Sequence, residues 1–408
     1  MPRILVQART ILRHRDLSAA LGCSLLLGFA YSFILPFISA FGTLEVGMTP
    51  WEFGGFMTVT ALSSIAITTA LARWSDTHGT RRSMLLLGSV CGALGNTGYA
   101  LVRDPLALVA IGSTALAVSS LTFSQLFAHA RESLARCAVP AEETPIYMNI
   151  YRLFYALAWT GGPAIASWVV LLDGYRGTFL VAAGVFALLA VVVWRFVPAQ
   201  PRPPTTANAA RVSLRHAFRR PDIAVSFAGF VLVFAATTLC MMNLPLFILQ
   251  SLGGTARHVG IVFSLAPVFE LPLMYYFGVL ASRGHQDGLI RTGIALALVY
   301  YALLALVQAP WQIYPLQILG AAATAVISGI AITYFQNHLP GQAGAATNLY
   351  ASAVRIGSTA GYLLFGLLAT AFGQRGVFIA DAALCAITLG LFLFLIPPPP
   401  RTELAPAR

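Results

Sequence analysis

No lysine occurs anywhere in the 408 residues; all 25 basic side chains are arginine. Schiff-base chemistry and every mechanism needing a lysine nucleophile are excluded. Charge of either sign is scarce. Soluble domains carry about 25% charged residues, whereas this chain carries 10% and is 58% hydrophobic. Single hydrophobic cores stop growing near about 250–300 residues, so a chain this long and apolar needs lipid as part of its solvent. Cysteine is sparse as well. Cys23, Cys91, Cys137, Cys240 and Cys385 fit no metal spacing, and an odd count closes no disulfide set. The seven histidines read as loop residues without ligand pairing, so no metal and no cofactor is expected. H-E-x-x-H and G-x-S-x-G are both missing, which argues against an intramembrane enzyme. The net charge of +11 has no aromatic-interleaved basic patch behind it, so nucleic acid is not an expected partner.

What the chain has is long apolar runs. They fall at 17–41, 51–72, 83–101, 105–128, 144–171, 177–197, 221–249, 257–281, 289–308, 311–335, 343–371 and 375–396. Each approaches the roughly 20 residues a spanning helix needs. The first is too long for a signal-peptide core and is read as a retained span. The pattern predicts an all-α polytopic membrane protein with twelve transmembrane helices, and an even count puts both termini on one side. Nineteen arginines lie in the termini and the connections on that side, against Arg103, Arg176, Arg257 and Arg375 on the other. The positive-inside rule then predicts cytoplasmic termini. The longest polar break, "PAQPRPPTTANAARVSLRHAFRRP", divides the chain into a six-helix bundle over 1–197, a cytoplasmic linker over 198–220, a second bundle over 221–396 and a tail over 397–408.

The halves repeat each other. "LPF" at Leu35–Phe37 closes the first run as "LPLF" at Leu244–Phe247 closes the seventh. "DGYRGTF" at Asp173–Phe179 matches "FGQRGVF" at Phe372–Phe378, 199 residues later, and the same shift sets Asn149 on Asn348. Internal repeats of this kind suit a transporter with its site where the repeats meet, and they argue against a receptor that moves nothing.

The loop "RWSDTHGTRRSM" (Arg73–Met84) contains Asp76, Gly79, Arg81 and Arg82. It resembles the cytoplasmic loop motif of the major facilitator superfamily, with Thr77 in place of the usual Arg and Ala72 in place of Gly. A charge-paired gate and an ordinary basic loop both fit; Arg131 belongs to the same candidate gate. "AWTGGPAIA" (Ala158–Ala166) resembles a shortened antiporter Gly-Pro motif, and also suits close helix packing. "SQLFAHARE" (Ser124–Glu132), "NLPLF" (Asn243–Phe247), "VFELP" (Val268–Pro272) and "YFQNHLPGQAGAATNLY" (Tyr334–Tyr350) are together similar to the sugar efflux transporter family. That resemblance implies two pseudo-symmetric six-helix bundles in the major facilitator fold. It also implies proton-coupled antiport of sugars or glycosides out of a bacterial cell by alternating access, and residence in the inner membrane. Some relatives carry Asp where this chain has Asn243, and the long linker is atypical. A monomer is expected, with sugar, protons and lipid as its partners.

Glu270 lies within a run of apolar residues. A charge at a helix centre costs about 2.5–3.5 kcal/mol on the insertion scale. Eleven Leu, Ile, Val or Phe residues in 261–280 offset it, at about 0.3–0.6 kcal/mol each. The helix can insert, and the carboxyl should face protein or water. Flanked by Pro267 and Pro272, it is the candidate proton carrier; a static hydrogen-bonded Glu is the plainer reading. Arg152 and Arg355, roughly two and about three and a half turns into their helices, fall on equivalent faces one turn apart. Arg152 can snorkel to the surface; Arg355 is too deep for that and is expected to contact the substrate or the coupling carboxylate, with Glu132 as the next candidate carboxylate. Asn243, Gln125, Asn149, Arg152, Trp159, Tyr31, Gln317 and Asn348 are the candidate sugar contacts, since amides bind hydroxyls and aromatic faces cover a sugar ring. Interhelical packing explains each of them too. A multidrug or other small-molecule exporter is the alternative function.

Overall fold

The computed structural model describes residues 10–11, 13–77, 79–140, 142–199, 218, 220–282, 286–339 and 342–395. Among them there is no strand. The helices are α1 (Arg15–Ile34, continuing through a bend to Glu45), α2 (Pro50–Thr77), α3 (Arg81–Leu101), α4 (Pro105–Arg136), α5 and α6 (the halves of Thr144–Phe196), α7 (Pro221–Ser251), α8 (Ala256–Ser282), α9 (Gln286–Leu306), α10 (Ile313–His338), and α11 and α12 (the halves of Ala343–Phe394). Most of the linker 198–220 and the tail 397–408 lie outside the described residues.

The chain's own caps set where the helices start. Thr49 and Glu52 bond reciprocally at the head of α2, Thr80 and Ser83 at the head of α3, and Asp104 accepts from the Ala107 N–H at 2.7 Å at the head of α4. A straight helix of 53 residues would be about 80 Å long, far beyond the roughly 30 Å of a bilayer core. Both double-length segments break at a single glycine with positive φ, Gly174 at 63° and Gly373 at 66°. Those residues are 199 apart, so the repeat read from the sequence is a repeat of backbone geometry. The "LPF" and "LPLF" ends also match: each leads into a wide helical turn, Phe41–Glu45 and Phe247–Ser251.

Helices α1–α6 pack largely on one another, as do α7–α12; the two groups meet at two crossings, α2 with α11 and α5 with α8, and where the 38–40 stretch of α1 lies against α7. Both crossings need residues without bulk. A Cβ on Gly54 would lie 2.7 Å from the Cα of Gly366, and one on Gly260 would lie 2.7 Å from the Pro163 carbonyl oxygen. The Ser264 hydroxyl accepts from the Ala164 N–H at 3.0 Å in the second crossing. All of these contacts lie near the end of the molecule that carries the 173–174 and 373 turns. Toward the opposite end, where α1 begins and α12 finishes, Asn149, Arg152 and Asn348 are exposed, as is Arg355 further along α11. The contacts between the two groups thus gather toward one end of the molecule.

Candidate functional site

Glu270 opens onto a cavity of about 390 Å³, lined by α5 on one side and by α7, α8, α9 and α10 on the other. The prolines on either side of it remain within a continuous α8. Three of the residues singled out in the sequence meet here: Glu270, Trp159 and Gln317. Trp159 lies close to Tyr155, one turn away, which also lines the cavity. Gln317, 3% exposed, donates from Nε2 to the Tyr300 hydroxyl at 3.1 Å. Cys240 lies near Tyr300, and Thr237 near Tyr301. One wall thus gathers hydroxyl, thiol and amide groups, while Phe234, Leu244, Val262 and Phe263 supply apolar surface around it. Such a site offers hydrogen bonds to hydroxyls and flat aromatic faces to C–H groups. Sequence reasoning missed Tyr300 and Tyr301. Two adjacent tyrosines at the middle of the apolar run 289–308 were the available signal, since a buried phenol needs a partner.

The other candidates lie elsewhere. Asn243 is buried, and its Nδ2 donates to the Gln374 carbonyl oxygen at 2.8 Å, tying α7 to the head of α12. Tyr31 packs edge-on against Phe186, with Ser119 nearby. Asn149, Arg152, Asn348 and Arg355 do not line the cavity; they are exposed on α5 and α11. Arg152 sits close enough to the Tyr350 phenol on α11 for its charge to be felt there.

A second cluster gathers the gate and reserve residues. Arg81, at the head of α3, places Nε 2.9 Å and Nη2 2.8 Å from Glu132 Oε1, and its Nη1 donates to Gln125 Oε1 at 2.8 Å. Arg82 donates to the Trp194 carbonyl oxygen at the end of α6. Gly79 has a φ of 89°, as a tight turn requires. The Asp76 side chain lies outside the described residues, and Arg131 is exposed. The loop reading of the histidines needs correction at His129. It is 1% exposed on α4, and its Nε2 lies 3.0 Å from Asp16 on α1, which also accepts from Arg136 at 2.6 Å. Gln125, His129, Glu132, Ser133 and Arg136 recur at helical spacing, so the polar face of α4 binds both α1 and α3. Among the described residues, no group of three or more His, Cys, Asp or Glu is placed to hold a metal ion.

The family model described as Major Facilitator Superfamily matches residues 20–361 and 227–408. A putative sugar efflux transporter of Deinococcus radiodurans is 34% identical over 91% of this chain and 95% of its own length. Sugar efflux transporter A of Dickeya chrysanthemi is 32% identical over 93% of this chain and 96% of its own. Among solved structures, a mutant of the nucleoside transporter NupG superposes with a TM-score of 0.81, covering 94% of this chain and 100% of that one at 14% identity, a likeness of fold.

Proposed function

The chain belongs to the major facilitator superfamily and, within it, to the sugar efflux transporter family, and from that premise we propose that it exports sugars or glycosides in exchange for protons. It is a multi-pass membrane transport protein and not an enzyme. In the proposed cycle the substrate enters the central cavity from the cytoplasmic end. The two bundles, 1–197 and 221–396, then rock about it. The crossings at Gly54–Gly366 and Gly260–Pro163 open to release it on the far side of the inner membrane. Glu270 carries the proton back.

One observation carries this reading: a carboxyl, an amide and paired aromatic rings share one cavity between the two groups of helices. The amide and phenols match sugar hydroxyls; the rings and aliphatic wall match the sugar's C–H faces or a glycoside's apolar tail. Among the described residues Glu270 has no ion-pair partner, which leaves its charge free to change. The apolar part of the wall favours a second reading, an amphipathic drug-like substrate on the same fold. Everted membrane vesicles energised by a proton gradient and offered a panel of labelled mono- and disaccharides, glycosides and cationic dyes separate the two. The proposal expects gradient-dependent uptake of one or more sugars or glycosides. Uptake confined to the dyes would replace it with the second reading.

A further inference from the structure

Asp381, on α12, is 0% exposed, and among the described residues neither of its carboxyl oxygens has a hydrogen-bond partner. A carboxylate left without donors in an apolar interior is among the costliest groups a protein can hold. The titratable groups near enough to feel it are Cys240 on α7, Tyr300 and Tyr301 on α9, and Cys385 one turn along its own helix. None carries a positive charge. Cys240, Tyr300 and Tyr301 also line the substrate cavity, so one layer of side chains, each with a movable O–H or S–H hydrogen, separates Asp381 from the site. The same layer holds Gln317 through Tyr300.

We propose that Asp381 is a second proton-binding site of the transporter, loaded in this conformation and emptied in the opposite one through the wall formed by Tyr300 and Cys240. As the neutral acid, Asp381 needs no counter-ion, which suits its dry, unpartnered surroundings here. When the opposite end opens and water enters the cavity, the carboxyl O–H bond breaks. The electron pair stays on Asp381, and the proton leaves on a water molecule by way of Tyr300 and Cys240. The carboxylate then draws the Tyr300 hydroxyl toward itself, which changes the partner that Gln317 offers the substrate. Loading at Asp381 thereby sets the hydrogen-bonding face of the cavity. The site adds to the charge change at Glu270 and does not depend on it.

The test is infrared spectroscopy of the purified full chain, without substrate and in a Glu270→Gln background, so that neither sugar recognition nor Glu270 enters the result. A protonated carboxylic acid has a C=O stretch apart from the amide bands. At neutral pH the protein should show such a band. The band should shift in Asp381→Glu and vanish in Asp381→Asn; if the Asn variant does not fold, the shift in the Glu variant assigns it. Gly260→Trp, which wedges α8 from α5, should remove most of the band's intensity. Opening of that end is verified by thiol labelling of Leu246→Cys, with Gly366→Leu as the second wedge. Absence of any band that moves with residue 381 overturns the proposal. So does a band that keeps its full intensity in an opened protein, which would make Asp381 a permanently neutral packing group.

Discussion

Arg81 and Glu132, 51 residues apart in sequence, are joined by two nitrogens of one guanidinium on a single carboxylate oxygen, at 2.9 and 2.8 Å. Both side chains are 22% exposed, and Gln125 takes the remaining reach of the arginine. Removing one partner of a partly buried charged hydrogen bond costs about 1.5–3 kcal/mol. Arg81→Gln should therefore destabilise the protein by that amount in thermal unfolding. Arg81→Gln with Glu132→Gln should cost less than the two single changes added together, because the second removes a charge that the first left unpaired. Strict additivity would mean that the two residues do not act on each other.

The cavity wall gives a second expectation. Tyr300→Phe removes the hydroxyl that Gln317 bonds and leaves the amide without its partner. A lost hydrogen bond in a closed site is worth about 1.4 kcal/mol, or roughly tenfold in affinity. The apparent KM for the exported sugar should rise by about tenfold in Tyr300→Phe and in Gln317→Ala, with little change in protein yield. Unchanged kinetics in both variants would place the substrate elsewhere.

Orientation is tested by labelling. If both termini and the linker face the cytoplasm, as the arginine distribution predicts, a cysteine placed at Ala207 in a background free of the five native cysteines should resist an impermeant thiol reagent in intact cells. It should react in everted vesicles. Labelling of intact cells would invert the topology.

Arg355 is exposed on α11 and does not line the Glu270 cavity. If it meets the substrate or the coupling carboxyl during the cycle, Arg355→Ala should insert and unfold normally yet lose most transport. Transport at the wild-type rate would leave it a surface arginine.

The span positions were legible because lipid imposes a long apolar run on every crossing helix. The 199-residue repeat was legible because the same turn needs the same glycine, and Gly174 and Gly373 indeed share one backbone conformation. Glu270, Trp159 and Gln317 were found because a polar or aromatic group is conspicuous in such a run. The pairing of Arg81 with Glu132 and of Asp16 with His129 was not legible. Each joins different helices, and helix–helix register is decided by side-chain packing that hydropathy does not encode. His129 had a local signal, its place one turn from Gln125 and from Ser133, but a histidine beside charged residues reads equally as a helix end. Asn149 and Asn348 matched each other in the repeat, yet matching positions place two residues on equivalent faces and not in the cavity.

Glu270→Gln in reconstituted vesicles tests the central claim most directly. Gln keeps the side chain's size and part of its hydrogen bonding but fixes its charge at zero, so a proton-coupled turn cannot be completed at that site whatever Asp381 does. The account predicts that the variant still exchanges labelled for unlabelled sugar across the membrane at a rate near that of the wild type. It also predicts that, when a proton gradient is the sole driving force, the variant accumulates sugar to a clearly lower level than the wild type, because the proton carried at Glu270 is lost from each turn. Accumulation at the wild-type level would contradict the account and remove Glu270 from the coupling mechanism.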